Sequence, residues 1–310
     1  MKKKLCVLLT LLCLTGCGGQ RTETPAQMGA YTFEDDMGRT VTLDAPKRVA
    51  ALTGSFADIW CLAGGTDSLV AAAGDSWTSF DLPLSKDVTN LGAIKTPDLE
   101  HLLAAAPDLV LLSSNTAAQL ALVEPLEQAG LTVACFNVTH FAEYLRMLEI
   151  CTDLTGDTAA YERHGLSLRE QIENARARAD GSTPTVLYIR ATGSSCKVKN
   201  SRDTVLGEML ADLGCINIAD SEESLLEQLS LEQIICSDPD YIFAVLQGAD
   251  SSAAKQTLET TLLSNHAWQS LTAVREGRFH VLEHRLYNLK PNARWGEAYE
   301  KLADILYPAP

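Results

Sequence analysis

Two carboxylates stand at matching places in this 310-residue chain. Glu100 lies in PDLEHLLAAAPDLVLL and Glu232 in LSLEQIICSDPDYIFAV, and seven residues after each comes Pro-Asp and an apolar run. A carboxylate just inside a helix start is favoured by the helix dipole, so each motif reads as helix start, turn, buried strand. Other residues able to recognise a ligand follow the apolar runs. TGSF brings Ser55 and Phe56, DSWTSF brings Trp77, SSNT brings Asn115 and NVTHF brings His140. Further on, RATGSS brings Arg190 and Ser194, Gln247 follows FAVL, and EHRLYN brings His284, Arg285 and Tyr287. Ligands of open parallel sheets sit beyond the carboxyl ends of strands. These positions are therefore candidate ligand contacts. Trp77 and Tyr287 would offer flat aromatic surface, and Arg190 and Arg285 would pair with anionic oxygens. Trp60, Trp268 and Trp295 recur at helical spacing among apolar residues and are expected in the core.

Catalytic constellations are missing. The chain has no G-x-S-x-G elbow, P-loop, G-x-G-x-x-G or H-E-x-x-H, so no enzyme is expected and no cofactor is implied. Its six histidines are scattered, without H-x-H, so His140 and His284 are not expected to hold a metal. Of nine cysteines three lie in residues 1–17; the other six show no C-x-x-C and read as small buried hydrophobes.

The elements that must position these residues alternate. YTFEDDMGRTVTLDAP reads as a hairpin. KRVAAL, SLVAAAG, PDLVLLSS and LTVACFN read as strands separated by helices, one of which is interrupted near Pro125. From Phe141 to Ala179 the alternation stops and the chain reads as helix, with a break at Gly156. The second part, residues 157–179, would be one helix of ~35 Å. Alternation then resumes through TVLYIRATG, PDYIFAVL and RFHVLE and ends in an amphipathic helix, ARWGEAYEKLADILYP. This pattern is α/β: two lobes with parallel sheets, joined by one long helix. The boundaries are residues 30–155, 156–180 and 181–310.

The start, MKKKLCVLLTLLCLTGCGGQ, has three lysines and then an apolar run of about half a bilayer core. It reads as an export signal. Leu14-Thr15-Gly16-Cys17 resembles the lipobox of bacterial lipoproteins, in which the cysteine is acylated and becomes the new N-terminus. Residues 18–29 then form a polar tether. Without residues 1–17 the chain holds 22 basic against 40 acidic residues. That excludes nucleic acid as a partner and spreading on anionic lipid, and suits attraction to a basic protein surface.

Across residues 30–310 the chain resembles class III solute-binding proteins of ABC importers, carriers of ferric siderophores, haem or cobalamin. DDMGRTVTLDAPKRVAAL, PDLEHLLAAAPDLVLL, LADLGCINIA and NARWGEAYEKLADILYP carry the resemblance together. It implies two Rossmann-like lobes joined by one long backbone helix, with the ligand cleft between the lobes, in a monomeric carrier held by its lipid at the outer face of the cytoplasmic membrane. The partners implied are an ABC permease dimer with its ATPase subunits. It implies that Glu100 and Glu232 dock the two lobes on the two permease subunits. The ligand it implies is a metal chelate or corrinoid. A ferric siderophore is placed first, cobalamin second on a sandwich by Trp77 and Tyr287, and haem third. A surface adhesin or structural lipoprotein is the alternative from another class.

Overall fold

The computed structural model describes residues 29–308 except Asp203, Ala249 and Asp250. The signal segment, Cys17 and most of the tether lie outside the described residues.

The chain opens with an antiparallel hairpin, β1 (Tyr31–Glu34) and β2 (Thr40–Leu43). Buried Asp35 accepts from the Arg39 side chain and from the Cys135 amide, which pins the hairpin to the first lobe. Next come β3 (Val49–Ala51), β4 (Leu69–Ala72), β5 (Thr89–Asn90), the short ladder of β6 (Gly92–Ala93) and β7 (Thr96–Pro97), β8 (Leu109–Ser113) and β9 (Thr132–Phe136). The first-lobe sheet has the order β5-β4-β3-β8-β9 and every pairing in it is parallel. Strands β3 and β8 are buried throughout, as expected of a sheet covered on both faces.

The second lobe holds β10 (Thr185–Ala191), β11 (Cys196–Lys199), β12 (Ile216–Asn217), β13 (Tyr241–Leu246) and β14 (Phe279–Leu282). Their order is β11-β10-β13-β14 with β12 also on β10; only β11 runs antiparallel. The sheets, with helices on their faces, make the two-lobed α/β fold that the sequence pattern gives.

Between the sheets lie the helix Phe141–Thr155, a turn at left-handed Gly156, and a helical run over residues 158–176. The single helix expected over 157–179 needs correction. The run is shorter, ~28 Å, and contains a π-turn, Glu162–Leu166. Gly165 lies in that turn against the Leu145 and Leu148 side chains, where a Cβ would come within 3.0–3.2 Å of them. The closing helix Trp295–Leu306 packs along Ser167–Arg176. Phe141, Tyr144 and Trp295 cluster with ring centroids 6.0–6.5 Å apart. One continuous apolar cluster therefore runs from β3 and β8 of the first lobe to β10 and β13 of the second. Separate clusters cover the outer face of each sheet. Among the described residues no helix is long and apolar enough to cross a membrane.

Candidate ligand cleft and docking carboxylates

The repeated motif folds the same way twice. Asp98 caps the helix Leu99–Ala104 by accepting from the His101 amide, and Ser230 caps Leu231–Ser237 by accepting from the Gln233 amide. Glu100 and Glu232 are each the second residue of their helix. Six residues later Ala106 (φ 44°) and Asp238 (φ 36°) take the left-handed conformation, and proline follows. The Asp of Pro-Asp then ties the motif to the first strand of its own lobe. Asp108 accepts from the Lys47 and Arg48 amides ahead of β3. Asp240 accepts from the Thr185 amide and hydroxyl at the start of β10, both at 2.8 Å. Pro-Asp is thus a structural staple. The glutamates are different: both are exposed, and neither carboxylate makes a hydrogen bond or ion pair with any described residue. Both helices start at the carboxyl edge of their sheet, so the two carboxylates face the same way relative to their lobes.

A topological switch point opens where neighbouring strands send their loops to opposite sides. In the first lobe this is between β3 and β8, and buried Gln119 fills it. Its Nε2 donates to the Leu52 carbonyl at 2.7 Å and its Oε1 accepts from the Ser113 amide at 2.8 Å. In the second lobe it is between β10 and β13. A cavity of about 520 Å³ opens there, lined by Arg190, Ser194, Lys197, Lys199 and Gln247 among others.

Three candidate residues, Arg190, Ser194 and Gln247, thus meet in one cavity. Two lysines that the sequence reading missed join them. β11 brings them in: its antiparallel register sets Lys197 opposite Arg190 and Lys199 opposite Tyr188. Alternate residues share a face, so three cations stand on one side of the hairpin. The Arg190 guanidinium lies over the Tyr188 ring, 5.9 Å from its centroid, and donates to the Tyr188 hydroxyl at 3.2 Å. Arg190 Nε is buried without a partner among the described residues. Burial, then the charges of Arg190 and Lys197, hold the Lys199 ammonium below its usual pKa. None of the three forms an ion pair with a described carboxylate. Like charges set opposite each other are destabilising, so Arg190 and Lys197 repel each other across the ladder. The alternation of lysines about Val198 in CKVK, after the Gly-Ser-Ser turn, is the signal that would have found it.

Three other candidates, Tyr287, Phe56 and Ser55, are buried rather than open to a ligand. Tyr287 is 2 % exposed, and its hydroxyl donates to the Ala298 carbonyl at 2.9 Å within the core. Phe56 is fully buried and meets Phe136 edge-on. Both follow a strand, but the helix each belongs to turns the ring inward onto the apolar cluster. Ser55 is buried, with its hydroxyl 3.2 Å from that of Thr53. Arg285 reaches across the lobes and donates to the Phe80 carbonyl at 3.0 Å. Trp77 is half-buried, and exposed Asn115 donates to Asn137. The two loop histidines have local partners: His140 faces Glu143 at 3.3 Å and His284 Nδ1 contacts the Leu246 carbonyl at 2.8 Å. Trp60, Trp268 and Trp295 are fully buried. All six cysteines of the described residues are free thiols.

Comparison with known proteins gives a family model described as periplasmic binding protein, which matches residues 49–286. The putative ABC transporter substrate-binding lipoprotein YhfQ of Bacillus subtilis is 21 % identical over 308 residues, covering 93 % of each chain. The Fe(3+)-citrate-binding protein YfmC of Bacillus subtilis is 24 % identical over 286 residues, covering 88 % of this chain and 85 % of that one. The solved structure of Staphylococcus aureus SirA complexed with staphyloferrin B superposes with a TM-score of 0.67 at 21 % identity, covering 89 % of this chain and 97 % of that chain. At that identity the last likeness speaks for the fold.

Proposed function

We propose, for a chain that belongs to the periplasmic binding protein family and is the extracytoplasmic substrate-binding component of an ABC importer, that the cargo is an anionic iron complex of the ferric siderophore class. The chain is a binding protein and not an enzyme. The observation that carries the cargo reading is the cluster of Arg190, Lys197 and Lys199 around a cavity at the second-lobe switch point, with no described carboxylate to neutralise it. In a chain with net charge −15, three adjacent unpaired cations oppose the overall balance. They suit a ligand that arrives with its own negative charge. Ser194 and Gln247 supply neutral polar contacts beside them. The Fe(3+)-citrate-binding relative agrees with this choice. The cobalamin alternative needed Trp77 and Tyr287 as facing aromatic plates, and Tyr287 is enclosed in the core.

Delivery follows from the repeated motif. Glu100 and Glu232, exposed and unpaired at equivalent places, present one carboxylate per lobe to a two-fold permease whose ATPase subunits power release. The chain acts as a monomer, with residues 30–155 and 181–310 as lobes and 156–180 between them. Acylated Cys17 holds it to the outer face of the cytoplasmic membrane. Loss of radiolabelled palmitate from a Cys17→Ala variant in cells tests the anchor, and label retained by that variant refutes it.

The cargo reading is tested by equilibrium binding of ferric citrate, a ferric tris-catecholate and cobalamin at low and high salt. Saturable binding of an anionic chelate that weakens with salt is expected. Saturation by cobalamin alone would overturn the reading.

A further inference from the structure

The segment after β14 belongs to the second lobe by sequence but is built into the first. Asn292 is fully buried. Its Nδ2 donates to the Ser55 carbonyl at 3.0 Å and to Asp58 Oδ2 at 2.8 Å, both on the helix Gly54–Leu62 of the opposite lobe. Arg285 donates across the same boundary to the Phe80 carbonyl. Lys290, between them, is held below its usual pKa by burial, against the opposing pull of Asp75 and Glu143 of the first lobe.

The first-lobe helix that receives these bonds starts directly after β3, at the floor of the cleft. Its first turn has little freedom left. Thr53 caps it by accepting from the Phe56 amide, and the Gly54 amide donates to Asp75 Oδ1 at 2.8 Å. A Cβ on Gly54 would lie 2.7 Å from the Ser76 amide nitrogen and 2.7 Å from Phe80. The floor is thus locked to its own lobe through Gly54 and Asp75, and to the other lobe through Ser55, Asp58 and Phe80. Asn292 itself sits at φ 51°, a left-handed conformation uncommon outside glycine, in which asparagine is several-fold enriched. Such conformations persist where the surroundings over-determine them. Here the two bonds to the opposite lobe do so.

Two kinds of contact therefore join the lobes. Behind the cleft lies the apolar cluster with Phe141, Tyr144 and Trp295, whose non-directional packing tolerates small rotations. At the cleft lie directional bonds, which do not. We propose that Asn292, assisted by Arg285, is the positioning residue that fixes the angle between the lobes in the ligand-free protein, so that the cleft stands pre-formed. The inference does not depend on what the cleft binds.

The test measures lobe geometry without ligand. Spin labels are attached by ketone chemistry to introduced side chains at exposed positions 129 and 256, one per lobe, leaving the cysteines untouched. Asn292→Gly suits the purpose, because glycine adopts the left-handed backbone freely, so the side-chain bonds are lost, with the small side-chain volume, and the backbone is not strained. The parent should give one narrow distance distribution. Asn292→Gly should give one at least about twofold broader, or a second longer population, and Arg285→Gln should change it in the same direction by less. A residue that merely packs would lower the melting temperature and leave the distribution as in the parent; that result overturns the proposal. If Asn292→Gly does not fold, Arg285→Gln decides, since its side chain is exposed: an unchanged distribution there overturns it.

Discussion

Glu100 and Glu232 occupy the same position in two copies of one structural unit. Each is the second residue of a side-chain-capped helix, six residues before a left-handed residue and eight before the aspartate that ties the unit to its lobe. Proline and aspartate have work inside the fold. The glutamates, exposed and unbonded, have none among the described residues. In the proposed account they meet basic surfaces of the permease. Glu100→Lys with Glu232→Lys should abolish uptake in cells while the affinity of the purified protein for its ligand is unchanged. Normal uptake by the double variant would remove docking from the account.

The Pro-Asp staple makes the opposite prediction. Asp240→Ala removes the two bonds that its carboxylate accepts from Thr185, keeps the one that its amide donates to the Thr185 hydroxyl, and leaves the amide at the head of β10 without its acceptor. A loss of about 1–3 kcal/mol is expected from an unsatisfied donor of this kind. Denaturant unfolding should show a lower midpoint with unchanged slope, and any affinity change should be small.

Tyr287 separates core from cleft in the same manner. Tyr287→Phe keeps the ring and deletes the bond to the Ala298 carbonyl. Stability should fall by about 1 kcal/mol, with ligand affinity unaffected. A large affinity loss at parental stability would return Tyr287 to the cleft.

The cationic cluster sets a pH dependence. Burial and its cationic neighbours lower the Lys199 pKa, so as pH rises Lys199 loses its charge before an unperturbed lysine would. An anionic ligand needs that charge. Affinity for ferric citrate should therefore decline on the alkaline side, and Lys199→Arg, which stays protonated, should move the decline to higher pH. Identical pH profiles for parent and variant would show that Lys199 is not a contact.

Much of this architecture is legible from period and punctuation. Apolar runs such as PDLVLLSS and PDYIFAVL become β8 and β13 because a parallel sheet buries both faces. The matched glutamates survive as equivalent positions because the motif carries its own caps and turn. Pro125 is tolerated in the first turn of Val123–Gln128, where its missing amide costs nothing, and the expected interruption falls just before it, at residues 121–122.

The site is only partly legible. Order along the chain says which loop ends a strand, but not which way a side chain turns once a helix begins. That is why Phe56 and Tyr287 enter the core while Arg190, Ser194 and Gln247 line the cavity. β11 is four residues long and contributes its lysines only through cross-strand register. The role of Asn292 depends on contacts more than 200 residues away in sequence. The π-turn at Glu162–Leu166, with Gly165 close against Leu145 and Leu148, is not announced by a helical period.

Whether Arg190, Lys197 and Lys199 receive an anionic iron chelate is measured by a ferric citrate titration of residues 22–310 followed by tryptophan fluorescence. The parent should saturate with a sub-micromolar midpoint. Arg190→Ala should weaken binding by about ten- to a hundredfold, the equivalent of losing one charge-assisted contact of ~1.5–3 kcal/mol. Binding by Arg190→Ala as tight as that of the parent, or no saturation by the parent, would contradict the cargo reading.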